Sequence, residues 1–347
     1  MTTETLMPEV LQKVITNAFV ASNTAPETAA MVAAALTLAE IDGKGGHGLS
    51  RVASYAAQAR SGKVDGMAKP VSSQPKPAVL AIDACHGFAY PAFDLLQQQL
   101  PALARSQGIA LGGIYRSHHF GVAGHQVEKA ADSGFIALLL GNTPAAIAPW
   151  GGSNACFGTN PIAFACPLAR MEPANQPQSV LPGDGPLVID MAVSEVARGG
   201  IMKAARRGEP IPEGWALDAD GKPTCDAEKA LAGTMLPFGG AKGAALALMV
   251  EILSAGLTGA SFAADASSFF TAEGSPPDVG QVMILIDPGV FTATSISRIT
   301  ALAAAIAADG NARIPGSTRY QKRRLAREQG VTVDAMLLAE ARALAGG

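Results

Sequence analysis

The sequence is sparing with charge, with cysteine and with long apolar runs. Charged residues make up 16% of the chain, against about 25% in an average globular protein. Much of the surface is therefore Ala, Gly, Ser and Gln, or is covered by a second subunit. Acidic and basic residues nearly balance, at a net charge of -3, and no long basic run occurs. The densest one, Lys322, Arg323, Arg324 and Arg327, reads as a solvated helix face and leaves no electrostatic footprint for nucleic acid. Apolar stretches such as Phe135 to Leu140 are too short to span a bilayer, so no membrane role is expected. The opening MTTETLMPEV is acidic and no apolar leader follows it, which points to a cytoplasmic protein. The four cysteines, at 85, 156, 166 and 225, have no metal-ligand spacing. Reduced, inert thiols and no bound metal are expected.

What is present is a large apolar fraction with changing periodicity. At 347 residues and 48% hydrophobic, the chain has material for two domains of roughly 150 residues each. Helical spacing runs through 7–40, with a second start at Thr24-Ala25-Pro26-Glu27, where a cap, an early proline and an acid fall in order. A glycine-dense loop, 42–48, follows, and then a short helix to about Gly62. Residues 66–77 read as a surface connection. Strands are expected at 77–83, 109–115, 135–140, 161–166, 187–190 and 281–287, and helices at 91–107, 124–133, 193–206, 242–255 and 295–308. Residues 170–186 read as exposed, 208–240 as a turn-rich excursion, and the segment after Pro315-Gly316 as helical. The alternation gives an α/β fold, with boundaries near 75 and 305. The expected division is a helical, substrate-side subdomain from 1–75 with 305–347, and an α/β cofactor-binding domain over 76–304.

The residues able to carry chemistry sit in the glycine-bearing loops. His47, in Gly-Gly-His-Gly, titrates near neutrality and can move a proton at cellular pH. Arg51 lies four residues on, and a guanidinium fork grips a carboxylate at two points. His118 and His119 end a strand in an α/β core, where ligands collect. On an extended backbone only one of the two faces inward. Glu128 and Asp132 read as a solvated helix face. No G-x-G-x-x-G follows a strand, and Lys242 lacks the rest of a phosphate-binding P-loop. Gly239-Gly-Ala-Lys242-Gly243, ahead of a long helix, could still hold phosphate through backbone N–H groups. From the residues alone the chain is an α/β enzyme with a His/Arg site for a small carboxylate.

Several segments together resemble the malate/L-lactate dehydrogenase family that is unrelated to the Rossmann lactate dehydrogenases. They are His47-Gly48 with Arg51, Ser117-His-His119-Phe-Gly121, Phe157-Gly158-Thr159-Asn160-Pro161, Ile189-Asp190-Met191-Ala192 with Ser194, Ile211-Pro-Glu-Gly-Trp215 and Leu236-Pro-Phe-Gly-Gly-Ala-Lys242-Gly243. Leu80-x-Ile-Asp-Ala-Cys85, Arg116-Ser-His-His-Phe and Leu257-Thr-Gly are similar to the Δ1-piperideine-2-carboxylate/Δ1-pyrroline-2-carboxylate reductases within it. The resemblance implies a non-Rossmann α/β fold, a homodimer, and NADPH-dependent reduction of a cyclic imino acid, with NADH as the alternative cofactor. It makes His47 the proton donor, Arg51 the carboxylate ligand and Thr159 a further substrate contact. Cofactor contacts fall on His119, Phe120, Gly121, Val122 and Ala123, on Asp190, Met191 and Ala192, on Ala241 and Lys242, and on Asn311, Ala312, Arg313, Ile314, Pro315, Gly316 and Ser317.

The chain departs from the reductase pattern twice. Gly46 stands where the reductases carry a serine before the histidine, and Gly200 where they carry an aspartate after an Ala-x-Gly segment. Another group or water must then orient His47. A cyclic imine, itself partly protonated near neutrality, needs little acid help. The competing readings are a dehydrogenase of a 2-hydroxy acid such as malate, lactate, sulfolactate or ureidoglycolate, and a catalytically silent protein that binds a small ligand.

Overall fold

The computed structural model describes residues 2–169 and 185–346, so most of the segment expected to be exposed at 170–186 lies outside the described residues. The chain opens with β1 (Thr3–Leu6), α1 (Pro8–Val20) and α2 (Pro26–Ile41). Both helices begin on a proline, whose missing N–H would be unpaired there in any case. The residue ahead of α2 is Ala25, which offers no capping side chain. Thr24 instead turns its hydroxyl to the Ser22 carbonyl, so Pro26 sets this start. α3 (Val52–Ser61) closes the opening helical layer and ends on Gly62, at φ 79.

The next stretch builds the main sheet. Its strands and helices are β2 (Val71–Lys76), β3 (Val79–Asp83), α4 (Ala89–Gln107), β4 (Ile109–Ser117), α5 (Ala123–Asp132), β5 (Ile136–Gly141), β6 (Ile162–Cys166) and β7 (Leu187–Met191). After α6 (Arg198–Arg207) come β8 (Ala216–Leu217), β9 (Pro223–Thr224), α7 (Ala227–Ala232) and β10 (Thr234–Met235). α8 (Ala241–Glu251) and β11 (Val279–Ile286) follow, then α9 (Ser295–Ala308), α10 (Ser317–Gln329), β12 (Val331–Asp334) and α11 (Ala335–Leu344). The seven-stranded sheet has the order β2-β3-β4-β11-β5-β6-β7. Only β3 and β4 run parallel, and β11 enters antiparallel between β4 and β5. That topology is α/β without the parallel crossovers of a Rossmann sheet, which is why no dinucleotide fingerprint follows any strand.

Four expectations change. Residues 66–77 contain β2, which has no buried face and carries Pro75; an edge strand tolerates both. The excursion at 208–240 is ordered as a small β10-β8-β9 sheet with α7, packed on Ile201, Ile211, Ala216 and Met235. α6 begins at Arg198, later than 193. The C-terminal helical region is broken by β12, which pairs antiparallel with β1.

Two cores matter for the site. One lies between the sheet and α4 and α5 and includes Ile82, Phe93, Leu96, Ile114, Leu139 and Met283. The other joins both chain ends and includes Phe19, Leu36, Tyr55, Phe88, Val333 and Leu338. Where they meet, the backbone is strained. Cys85 and His86, just past β3, and Arg116, near the end of β4, all take left-handed φ of 50–58°. Each costs about 1 kcal/mol or more and persists only where the surroundings enforce it. Here a bond from the His86 N–H to the Arg116 carbonyl, 2.8 Å, locks the two turns together.

Candidate active site

The loop after α2 makes two short 3-10 turns, Gly45–His47 and Leu49–Arg51. Glu40, on the last turn of α2, accepts the Leu49 N–H at 2.6 Å, and burial pushes its carboxyl above the usual range. A Cβ at position 48 would fall 2.2 Å from Glu40 Oε1, so Gly48 is needed for this close approach. Arg51 folds back to donate from Nε to the Gly46 carbonyl at 2.8 Å. Its guanidinium carbon lies 4.4 Å from the centre of the Phe270 ring, a favourable cation–π contact.

His47 and His119 meet face to face, their ring centres 5.2 Å apart and their planes within 6°. His119 Nδ1 is hydrogen-bonded to the Tyr55 hydroxyl. The expectation that only one of the adjacent histidines faces inward fails. Both are buried, at 1% and 6% exposure, because the turn at Arg116 ends the extended backbone before they are reached. His118 has a structural part. Its Nε2 meets Gln58 Oε1 at 3.1 Å and its ring packs edge-on to Tyr55, Phe88 and Phe269.

The electrostatics of this pocket are unusual. Burial, then the charges of Arg51 and Lys44, pull His47 down to about 3. Burial and the nearby cation also hold His119 well below its ordinary value. His47 Nδ1 and Arg51 Nη1 are buried without a partner. Nothing stands within 4 Å of where a Cβ on Gly46 would lie, so the space a serine would occupy is open. Gly200 lies on α6 against Val196 and Trp215, among side chains of the small-sheet cluster. The His47 ring lies stacked against the imidazole of His119.

Thr159 stands opposite Thr143, hydroxyl to hydroxyl at 3.3 Å, and gives its N–H to the Thr143 hydroxyl at 2.9 Å. Behind it, the buried carboxylate of Glu251 accepts from Asn160 Nδ2 at 2.8 Å, Asn142 Nδ2 at 3.2 Å and the Ala263 N–H at 2.6 Å. Sequence reasoning missed Glu251, an acid inside an apolar helix pattern. That placement was the available signal, since a buried carboxylate persists only where donors converge on it.

The segments implicated in cofactor binding are connected through the sheet edge. Gly124 approaches Asp190 and Arg319 so closely that a Cβ there would lie 3.0 Å and 3.2 Å from them. The Pro315 carbonyl accepts the Val188 N–H at 3.4 Å, the Thr159 carbonyl accepts the Val193 N–H at 2.9 Å, and the Val193 carbonyl accepts the Phe238 N–H at 3.0 Å. Residues 311–313 form an exposed turn held by Asp309, with no contact to the imidazoles. Left-handed glycines, Gly121, Gly240 and Gly316, lead into α5, α8 and α10, and no side chain caps any of these helices at its start. Uncapped helix starts at glycine entrances suit phosphate oxygens, and the unpartnered Arg51 donor near His119 suits a polar ring. These residues fit a nicotinamide dinucleotide.

A second polar cluster lies next to the first. Asp42 accepts from His125 Nε2 at 2.9 Å and from Arg323 at 2.7 and 2.9 Å. Glu128 accepts from Arg323 at 2.5 and 2.9 Å and from Arg319 at 3.1 Å. Glu128 and Arg323 are thus paired inside the protein, contrary to the expectation of solvated faces. Arg324 and Arg327 are exposed, as is Asp132.

The sequence pattern of a family described as malate/L-lactate dehydrogenase matches residues 6–341. The chain is 48% identical over 296 residues to a (2R)-3-sulfolactate dehydrogenase (NADP(+)) of Chromohalobacter salexigens, covering 85% of each chain. It is 40% identical over 301 residues to a Delta(1)-pyrroline-2-carboxylate/Delta(1)-piperideine-2-carboxylate reductase of Pseudomonas putida, covering 85% of this chain and 83% of that one. The fold superposes on the crystal structure of delta1-piperideine-2-carboxylate reductase from Pseudomonas syringae pvar. tomato with a TM-score of 0.89, at 36% identity, over 98% of this chain and 99% of that one.

Proposed function

This chain belongs to the malate/L-lactate dehydrogenase family, whose members are NAD(P)-dependent oxidoreductases of 2-imino and 2-hydroxy acids, and from that premise we propose that it reduces a cyclic 2-imino acid, Δ1-pyrroline-2-carboxylate or Δ1-piperideine-2-carboxylate, to L-proline or L-pipecolate. The reductant in this reading is NADPH, with NADH the alternative, and the working unit is a homodimer. Arg51, with a buried donor to spare, binds the substrate carboxylate in a charge-assisted hydrogen bond. The Thr159 hydroxyl gives a second contact. A bound dihydronicotinamide supplies the hydride to C2.

The observation that carries this reading is the state of His47. With its value near 3 and no acid on Nδ1, the imidazole is neutral at pH 7. A neutral imidazole is a poor proton donor for a 2-oxo acid, whose oxygen needs a proton as hydride arrives. It is a good hydrogen-bond acceptor for an imine that enters already protonated.

A second reading is NAD(P)-dependent oxidation of a 2-hydroxy acid. The 48% identity to a sulfolactate dehydrogenase supports it, and a neutral imidazole is also the form that takes a proton from an alcohol. Steady-state rates separate the two. The imine reading expects turnover of Δ1-pyrroline-2-carboxylate that rises as pH falls, with little reduction of pyruvate. Oxidation of malate, lactate or sulfolactate that rises with pH, with no turnover of the imine under any condition, establishes the second reading instead.

A further inference from the structure

The segment from Ser268 to Glu273 has no helix or strand of its own, yet its backbone is firmly held. Lys63, 4% exposed, donates from Nζ to the carbonyls of Ser268, Thr271 and Glu273 at 2.8, 3.0 and 2.8 Å. Gln58 Nε2 donates to the Phe269 carbonyl at 2.8 Å, and the Ser61 hydroxyl to the Ala272 carbonyl at 3.0 Å. Every carbonyl of the segment except that of Phe270 is thus met by a side chain from the last turn of α3 or just beyond it. An ammonium has three N–H donors, and Lys63 spends all three here. The clasped segment carries two rings to the site. Phe269 lies 5.2 Å from His118 and 5.1 Å from His119, centre to centre, and the Arg51 guanidinium lies over the Phe270 ring at 4.4 Å. Arg51 is the residue on which α3 starts. One helix therefore holds the guanidinium at its beginning and, through the clasp at its end, the ring that covers it.

We propose that Phe270 is a specificity-determining residue for the acid bound by Arg51, and that Lys63 is the positioning residue that keeps its ring in place. This rests on the reading above that Arg51 holds the substrate carboxylate. The ring covers one face of the planar guanidinium, and the Gly46 carbonyl takes Nε. The outer edge of the fork, with the unpartnered Nη1, is left for a carboxylate lying in its plane. The body of the acid then comes beside an aromatic ring that is 38% exposed. That ring gives a flat apolar skeleton a surface to pack on. To a second anionic group it gives no donor and a face of negative potential. Lys63, although its charge is felt at His118, has no N–H left to offer such a group. The pocket is selective for acids with a single negative charge and a flat apolar body, against those with a second anionic group.

Calorimetric titration of the protein loaded with reduced cofactor tests both roles without turnover. The probes are pyrrole-2-carboxylate, a flat monoanion, and malonate, a small dianion. The original protein should bind pyrrole-2-carboxylate more tightly than malonate. Phe270→Ala should bind pyrrole-2-carboxylate about 10-fold more weakly, the scale of a partly desolvated cation–π contact, and change malonate binding by less than about 2-fold. Lys63→Met should weaken pyrrole-2-carboxylate about as much. The double variant should lose no more than either single one, because both act through the same ring. A lysine that only stabilises the fold would give additive losses, and additivity overturns the positioning role. If Lys63→Met does not fold, Ser61→Ala removes one bond of the clasp. Its expected loss is about 3-fold, and that loss should vanish in the Phe270→Ala background; a loss that persists there overturns the positioning role equally. Malonate bound more tightly than pyrrole-2-carboxylate by the original protein, or Phe270→Ala weakening both acids equally or neither, overturns the specificity role. Arg51→Ala separates this from the reading beneath it. If Arg51→Ala loses the acid and Phe270→Ala does not, only the role of Phe270 falls; if neither loses it, the carboxylate site at Arg51 falls too.

Discussion

Two polar clusters lie beside the loop from Asp42 to Arg51, and they are built on opposite rules. Around Asp42 and Glu128 every charge is answered. His125 and Arg323 share the first carboxylate, Arg319 and Arg323 share the second, and the four charged side chains are between 3% and 17% exposed. Around His47 the opposite holds: His47 Nδ1 and Arg51 Nη1 are buried and have no hydrogen-bond partner in the protein. Unmet buried donors and acceptors are uncommon and costly, and they survive where a ligand meets them. The satisfied cluster fixes α5 and α10 against the end of α2, and the unsatisfied one, a few residues further along the same loop, is left for substrate and cofactor. Rigidity and reactivity are separated by about one turn of chain.

The largest effect expected from breaking this division is on stability. Glu128→Ala leaves Arg319 and Arg323 facing each other without their shared carboxylate. Removing one partner of a buried pair costs about 3–5 kcal/mol, to be measured by urea unfolding. His47→Ala, on the other side of the division, should leave the unfolding free energy unlowered and act on turnover instead. A loss under about 1 kcal/mol in Glu128→Ala would put the cluster with ordinary surface pairs and erase the contrast.

A smaller effect sharpens the comparison through pH. The bonds from His125 and Arg323 outweigh burial and hold Asp42 at about 2, against an ordinary 3.8. A carboxylate with a depressed value stabilises the fold fully above 3.8. That contribution, about 2 kcal/mol, is lost as pH falls through the folded value. Unfolding free energy followed from pH 5 down should therefore fall more steeply in the original protein than in Asp42→Asn. His47 and His118, both near 3, act the same way in both proteins and drop out of the difference. Equal slopes would mean that Asp42 is not held as the ion.

Much of the fold was legible because it rests on apolar periodicity. The run Gln281–Asp287 and the alternation at Val79–Asp83 report directly which faces are buried, whereas in α1 the buried face is Leu11, Ile15, Ala18 and Phe19, and Val10 is exposed. The elements missed, β1, β2, β12 and the small sheet, are short or lie at an edge, where no buried stripe forms. The site was legible as far as local spacing reaches. His47 and Arg51 are four residues apart, and the glycines around them show a tight loop. Pairs distant along the chain were not. Arg323 looked like part of a solvated basic face because the acid that answers it, Asp42, lies 281 residues away. Tyr55 follows Arg51 by four residues in a helix, yet its part in fixing His119 depends on a contact across 64 residues.

The central claim is that Arg51 and His47 share one pocket for a small carboxylate. Calorimetric binding of pyrrole-2-carboxylate, a planar stand-in for the imine, to the protein loaded with reduced cofactor tests it most directly. Loss of a hydrogen bond to a charged group costs about 1.5–3 kcal/mol, so Arg51→Ala should bind the acid about 10- to 100-fold more weakly while holding the cofactor as before. Unchanged affinity for the acid in Arg51→Ala would contradict the account.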